Sequence, residues 1–183
     1  TFTDQEGNPS KMEQRIAGGH VVVRYEPGGS YGDMYALDFK RTEDGKIAFT
    51  KGGLPQLSTD KYVYLGNMNS KVNIGWNNTF TYKDLSLYFL ISGRIGGKTM
   101  SLTEAYLDNF GVSERTGAAR LNAEKNNIYW TAADGSTKPG MMVDGTIVPI
   151  ENYYRTVGGQ TFASEYVYDA TNIRLAELSL GYN

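Results

Sequence analysis

Polar and apolar residues alternate most regularly between Lys71 and Ile95, KVNIGWNNTFTYKDLSLYFLISGRI. In its first half Val72, Ile74, Trp76, Phe80 and Tyr82 alternate with Asn73, Gly75, Asn77, Thr79 and Thr81. In its second half Leu85, Leu87, Phe89, Ile91 and Ile95 alternate with Ser86, Tyr88, Ser92 and Arg94, with Leu90 as the exception. A period of two sends the two sets to opposite faces of a strand. The stretch therefore predicts two strands of about ten residues folded back at Lys83-Asp84.

Folding there sets Tyr82 opposite Leu85, Phe80 opposite Leu87, Trp76 opposite Ile91 and Val72 opposite Ile95. The other face pairs Thr81 with Ser86, Gly75 with Ser92 and Asn73 with Arg94. A slip of one residue mixes the faces, so the pattern itself specifies the register. Lys-Asp is not a favoured two-residue turn, because neither residue takes positive φ as readily as Asn-Gly does. Two environments accept such a hairpin. In a soluble sandwich the apolar face enters a core; in a membrane barrel it meets lipid. Length leans toward the barrel, since a tilted spanning strand needs roughly 9–11 residues and soluble strands run nearer 5–6.

Elsewhere the elements are shorter. Residues 1–19 are polar and glycine-bearing, which suits a loop or terminus. His20 to Tyr25 has strand composition and ends at Pro27-Gly28-Gly29. Met34 to Phe39 and Lys46 to Phe49 flank an Asp44-Gly45 turn, and Tyr62 to Asn67 leads into the central hairpin. After Gly96-Gly97 the period changes. Ser101 with Glu104 forms a capping-box pattern, with Leu102, Ala105 and Tyr106 on one helical face, and a second short helix starts at Ser113 and runs through Leu121. Residues 122–161 read as a long loop with turns at Asp134-Gly135 and Asp144-Gly145, and loops of that length are usually functional. In the last stretch Ile173 and Leu175 share one parity and Leu178, Leu180 and Tyr182 the other. A β-bulge near Ala176-Glu177 restores a single apolar face.

Composition narrows the functions. With 183 residues the chain is long enough for one sizeable core, and its net charge of −2 gives no electrostatic case for nucleic acid. Cysteine is absent, which excludes disulfides, thiolate metal sites and cysteine nucleophiles. Fourteen tyrosines and 22 glycines favour strands, turns and aromatic contact surfaces over helices. No apolar run is long enough for a membrane-spanning helix.

Candidate chemistry is sparse. His20 is the single histidine and has no carboxylate cluster beside it, so no metal site is expected. Glu43 with Asp44, and Glu165 with Asp169, imitate a glycosidase pair, but acidic residues at turns are usually solvated. Asp134 and Asp144 do not meet the twelve-residue calcium-loop spacing. No catalytic, cofactor-binding or metal residue is therefore assigned. The candidate substrate-binding residues are Tyr129, Trp130, Tyr153 and Tyr154, because flat aromatic faces on loops suit sugar rings; such rings more often pack a loop against itself or its surroundings.

Several separated motifs, in order, resemble the C-terminal third of SusC/RagA-type TonB-dependent outer-membrane receptors. They are Gly29-Ser30-Tyr31-Gly32-Asp33-Met34-Tyr35, Tyr64-Leu65-Gly66-Asn67, Asn78 to Lys83 into Leu85-Ser86-Leu87, and Gly96-Gly97-Lys98. Tyr106-Leu107-Asp108 with Gly111-Val112-Ser113, Ala170 to Leu175, and Leu178-Ser179-Leu180-Gly181-Tyr182 continue the series to the end of the chain. Ser70 stands where the family pattern usually has proline. The family's plug, energy-coupling box and terminal aromatic residue are not in this sequence, so the resemblance implies a C-terminal piece.

It also implies an all-β fold: antiparallel strands of a large, 22-stranded type of transmembrane β-barrel with long surface loops carrying short helices. On that pattern residues 1–70 form a surface loop region, 71–95 the hairpin, 97–165 a helical and irregular surface loop, and 166–183 a further strand. The implied function is nutrient import across the outer membrane, with glycans or peptides as cargo and no chemistry performed on them. The implied partners are a SusD-like surface lipoprotein lid, the TonB energy-coupling system and the lipid bilayer. The alternative from another class is a soluble or surface-attached carbohydrate-binding β-domain.

Overall fold

The computed structural model describes residues 6–7, 12–16 and 21–182. His20 and most of residues 1–11 lie outside the described residues. Twelve strands among them pair antiparallel throughout, in sheets of four, three, two and three strands.

The central hairpin has the register that its pattern specifies. Strands β5 (Val72–Tyr82) and β6 (Leu85–Ile95) pair from Val72 with Ile95 to Tyr82 with Leu85 without a shift. The turn is made by Lys83 entering the left-handed region at φ 50°, so the unfavourable turn residues yield to the eleven-residue ladder. Strand β12 (Asn172–Tyr182) adds to β6, giving the order β12-β6-β5. Its register shifts between Leu175 and Glu177, so Ala176 is the bulge. Leu178, Leu180 and Tyr182 thereby join Ile173 and Leu175 on one face.

The result is a sheet with two unlike faces. Val72, Ile74, Trp76, Phe80 and Tyr82, the odd-numbered apolar positions of β6, and five residues of β12 share one face. Its polar interruption is Asn78, half-buried opposite Phe89; the Phe89 ring sits 5.6 Å from Trp76 and 6.0 Å from Phe80. The other face carries Asn73, Thr79, Thr81, Ser86, Ser92, Arg174 and Ser179, with Leu90 placed between Asn77 and Glu177. Among the described residues nothing covers the apolar face: Trp76 is 56% exposed, Phe80 57% and Leu180 75%.

The buried core lies elsewhere. Strands β1 (Met12–Ile16), β2 (Val21–Tyr25), β3 (Asp33–Phe39) and β4 (Leu57–Asn67) form the four-stranded sheet. Five residues of the N-terminal stretch read as loop are thus a strand paired with β2. Val21, Val23, Met34 and Ala36 make a first core cluster. A second joins Phe39 to Ala105, Val157, Phe162 and Tyr166, with Phe39 and Phe162 stacked at 4.3 Å. Met100, in the short strand β7 (Lys98–Met100) that pairs with β11 (Val167–Asp169), packs against both.

Two motif segments interlock beside this core. Asp33 Oδ1 accepts from Asn67 Nδ2 at 2.9 Å and Tyr64 Oη at 3.2 Å, while Asn67 and Asn69 both donate to the Tyr31 carbonyl. Gly32 lies between them at φ 91°, and a Cβ there would stand 2.5 Å from Asn69 Nδ2; glycine fits both demands.

Both expected helices form at the expected caps. Ser101 caps α1 (Leu102–Asn109) by accepting from the Glu104 amide, and Ser113 caps α2 (Glu114–Asn126) through the Thr116 amide. The second helix runs on to Asn126, past the expected end at Leu121. Residues 122–161 correct the loop reading. They hold β8 (Tyr129–Thr131), β9 (Thr137–Val143), β10 (Thr146–Pro149), α3 (Ile150–Thr156) and a π-helical turn, Val157–Thr161. Asp134-Gly135 and Asp144-Gly145 are the hairpin turns between those short strands.

Candidate functional site

The helices and short strands after Gly97 enclose a cleft of about 570 Å³. Its walls come from the end of α1, from Thr116 and Arg120 on α2, Lys138 and Pro139 on β9, and Ile150, Glu151, Tyr154 and Arg155 on α3.

A buried ionic network holds one wall. Asp108, fully buried, accepts hydrogen bonds from Arg115, from Ser113 and from the Tyr166 hydroxyl at 2.8 Å. Burial pushes the Asp108 carboxyl up, but the hydrogen bonds from Arg115, Ser113 and Tyr166 outweigh it and leave the group below the usual carboxylate range. The Arg115 guanidinium also lies 5.0 Å from the Tyr166 ring centre and 5.8 Å from that of Tyr154. With three donors on one carboxylate, α1, α2 and the 3-10 turn Ala163–Tyr166 are tied into one frame.

The four aromatic candidates separate. Tyr154 lines the cleft. Tyr153, next to it on α3, turns toward the second core cluster, and its ring meets Tyr154 edge-on at 5.4 Å. Burial, with the nearby Glu165 carboxylate, pushes the Tyr153 hydroxyl up to about 12. Tyr129 and Trp130 are adjacent on β8 and therefore point to opposite faces of that strand. Trp130 Nε1 stands 3.4 Å from where a Cβ on Gly53 would lie, so its ring rests beside the Gly52-Gly53 turn. Tyr129 is exposed. The structure thus brings one of the four into the cleft.

Sequence reasoning passed over Phe110, Arg120, Lys138, Glu151 and Arg155. Lys138 and Arg155 pair with Glu151 at 3.8 and 3.3 Å. Arg120 donates to the Gly111 carbonyl at 2.9 Å. Lys138, Glu151 and Arg155 fell in the stretch read as a long loop, where a charged side chain is ordinarily solvated, and Arg120 lay on the expected second helix with nothing in the sequence to place it beside them.

The acidic residues do structural work at turns. Asp134 accepts from the Ser136 amide and hydroxyl at 2.9 and 2.7 Å. Asp144 accepts from the Ile47 amide at 3.0 Å, tying two segments 97 residues apart. Asp169 pairs with Lys98 at 3.5 Å and accepts from the Thr171 amide. Burial and the Asp38 carboxylate raise the Glu165 carboxyl. Among the described residues no three of His, Cys, Asp and Glu gather to hold a metal ion. Arg94, on the polar face of β6, donates to the Met68 carbonyl at 3.2 Å, a loop-pairing role.

The antiparallel architecture agrees with a class found by comparison: the chain is similar to a TonB-dependent receptor. That relative is TonB-dependent receptor P3 of Formosa agariphila, 26% identical over 139 residues, which is 76% of this chain. The chain spans 12% of that relative's length. No family model matches the chain.

Proposed function

We propose that this chain is part of the barrel of a TonB-dependent outer-membrane receptor of SusC/RagA type. The observation that carries the reading is the uncovered apolar face of β12-β6-β5. In water, such a continuous face would be an association-prone patch. In hydrocarbon it is the favoured exterior, with the polar face turned to the lumen. Eleven residues make about 36 Å of strand, which at a tilt of roughly 45° crosses about 25 Å of bilayer. Tyr82, Leu85 and Tyr182 cluster at the Lys83-Asp84 end, where an interfacial aromatic band belongs. The tight turn then faces the periplasm, and the packed helices and short strands face the cell surface.

On this reading the receptor imports glycans or peptides. The surface region binds cargo beneath a SusD-like lipoprotein lid, and the TonB system drives the import. The chain performs no chemistry on the cargo. The test is contact with lipid. A quencher carried in the acyl chains should reach labels at positions 80, 87 and 89 and miss 79, 81 and 86. Quenching of neither set overturns the membrane reading and favours a soluble carbohydrate-binding β-domain.

A further inference from the structure

We infer that the cleft between α1, α2, β9 and α3 binds a carboxylate-bearing saccharide. The lining charge is the first ground. Arg120, Lys138 and Arg155 converge on the cleft. Glu151 is the acidic counterpart they face, since the Asp108 carboxylate is already taken by Arg115, Ser113 and Tyr166. Three cations against one carboxylate, itself paired with Lys138 and Arg155, leave an excess of positive charge along the cleft wall that attracts a ligand anion. Among the described residues Arg120 has no carboxylate partner, and its one hydrogen bond to Gly111 leaves further guanidinium donors for a planar anion.

The second ground is the pair of aromatic rings. Phe110 follows the last turn of α1 and is 74% exposed although it lines the cleft. Tyr154 stands on α3, in another wall of the cleft. A phenyl ring left in water at a cavity has surface to gain from a ligand, and a pyranose offers a flat C–H face to it. Glu151 and Asn109 add a carboxylate acceptor and an amide for ring hydroxyls. A cavity of this volume matches sites that hold small ligands of a few rings. An acidic peptide would use the cations and leave the mixed hydroxyl-binding groups idle, so the saccharide is favoured.

That such a ligand is cargo rests on the import reading; that the cleft binds it does not. The test is titration calorimetry on the full receptor chain in detergent, using protein whose hairpin has been assayed by lipid quenching. A galacturonate oligosaccharide should bind, and the neutral galactose oligosaccharide of equal length should bind about tenfold more weakly or worse. Binding should weaken as salt rises. Arg120→Gln with Arg155→Gln should remove the preference for the acidic sugar, and Phe110→Ala, at an exposed position, should weaken both sugars. No galacturonate binding, equal affinity for the two sugars, or a preference that survives the double charge variant overturns the inference. Tighter binding of a glutamate-rich peptide overturns the saccharide assignment. Binding without lipid quenching keeps the cleft and removes the import reading; quenching without binding does the reverse.

Discussion

Asp108 is where a single side chain matters most. It is fully buried, and its compensation comes from Arg115, Ser113 and Tyr166. Asp108→Ala leaves the Arg115 guanidinium half-buried beside two rings without its counter-charge, at a cost of roughly 2–3 kcal/mol once solvent screening of its exposed part is allowed for. Urea unfolding followed in the helical region should report that loss, and a change under about 1 kcal/mol would place the network among idle surface pairs. Titration adds two limbs. The Asp108 carboxyl lies below its ordinary value in the fold, so its stabilisation is present above the usual carboxylate range. It disappears as pH falls through the folded value. Tyr153 and Tyr166 are raised, by burial first and then by Glu165 and Asp108 respectively. The Tyr153 contribution is complete below about pH 10 and is lost as pH rises toward 12, and the Tyr166 contribution is lost in the same direction. Stability measured against pH should therefore fall at both ends, and Tyr153→Phe should flatten the alkaline limb.

At the scale of the element, the three-stranded sheet carries the functional reading. Phe89 is the centre of its apolar face, between Trp76 and Phe80 and opposite Asn78 and Leu178. Phe89→Arg places a charge near the middle of that face, and on a barrel's lipid side this costs roughly 2–4 kcal/mol. Thr79→Arg, on the polar face, should be tolerated. Heat-modifiable gel migration of the assembled protein should show strong loss for the first and little for the second; equal loss would argue that both faces are packed. The helices were readable for a local reason. Each begins at a serine whose hydroxyl meets an amide three residues on, a signal confined to four neighbours in sequence. The region after α2 was not, because β8, β9 and β10 are only three to seven residues long. Too few positions exist there for a period to emerge.

For the whole molecule, the packed core and the uncovered sheet are separate bodies of structure. The clusters around Val21 and Phe162 draw on strands β2 and β3, α1 and the turns after α3, while no residue of β5, β6 or β12 is fully buried. On the proposed import reading, cargo is returned unchanged. Purified glycan incubated with the full chain should be recovered intact by chromatography, and turnover abolished by replacing Glu43 or Glu165 would reverse the transport reading.

The alternation from Lys71 to Ile95 and the parity change in the last strand determined the hairpin register, the bulge and the split between apolar and polar faces. These are consequences of side-chain direction along one backbone, and a single strand suffices to express them. Only the tertiary structure decided where the buried ion network lies and which aromatics approach the cleft. Asp108, Tyr154 and Tyr166 come together across three elements, and Lys138 reaches Glu151 from a strand to a helix. Tyr153 and Tyr154 are indistinguishable by composition. The turn of α3 sends one toward the core and the other into the cleft, because adjacent helical residues point about 100° apart.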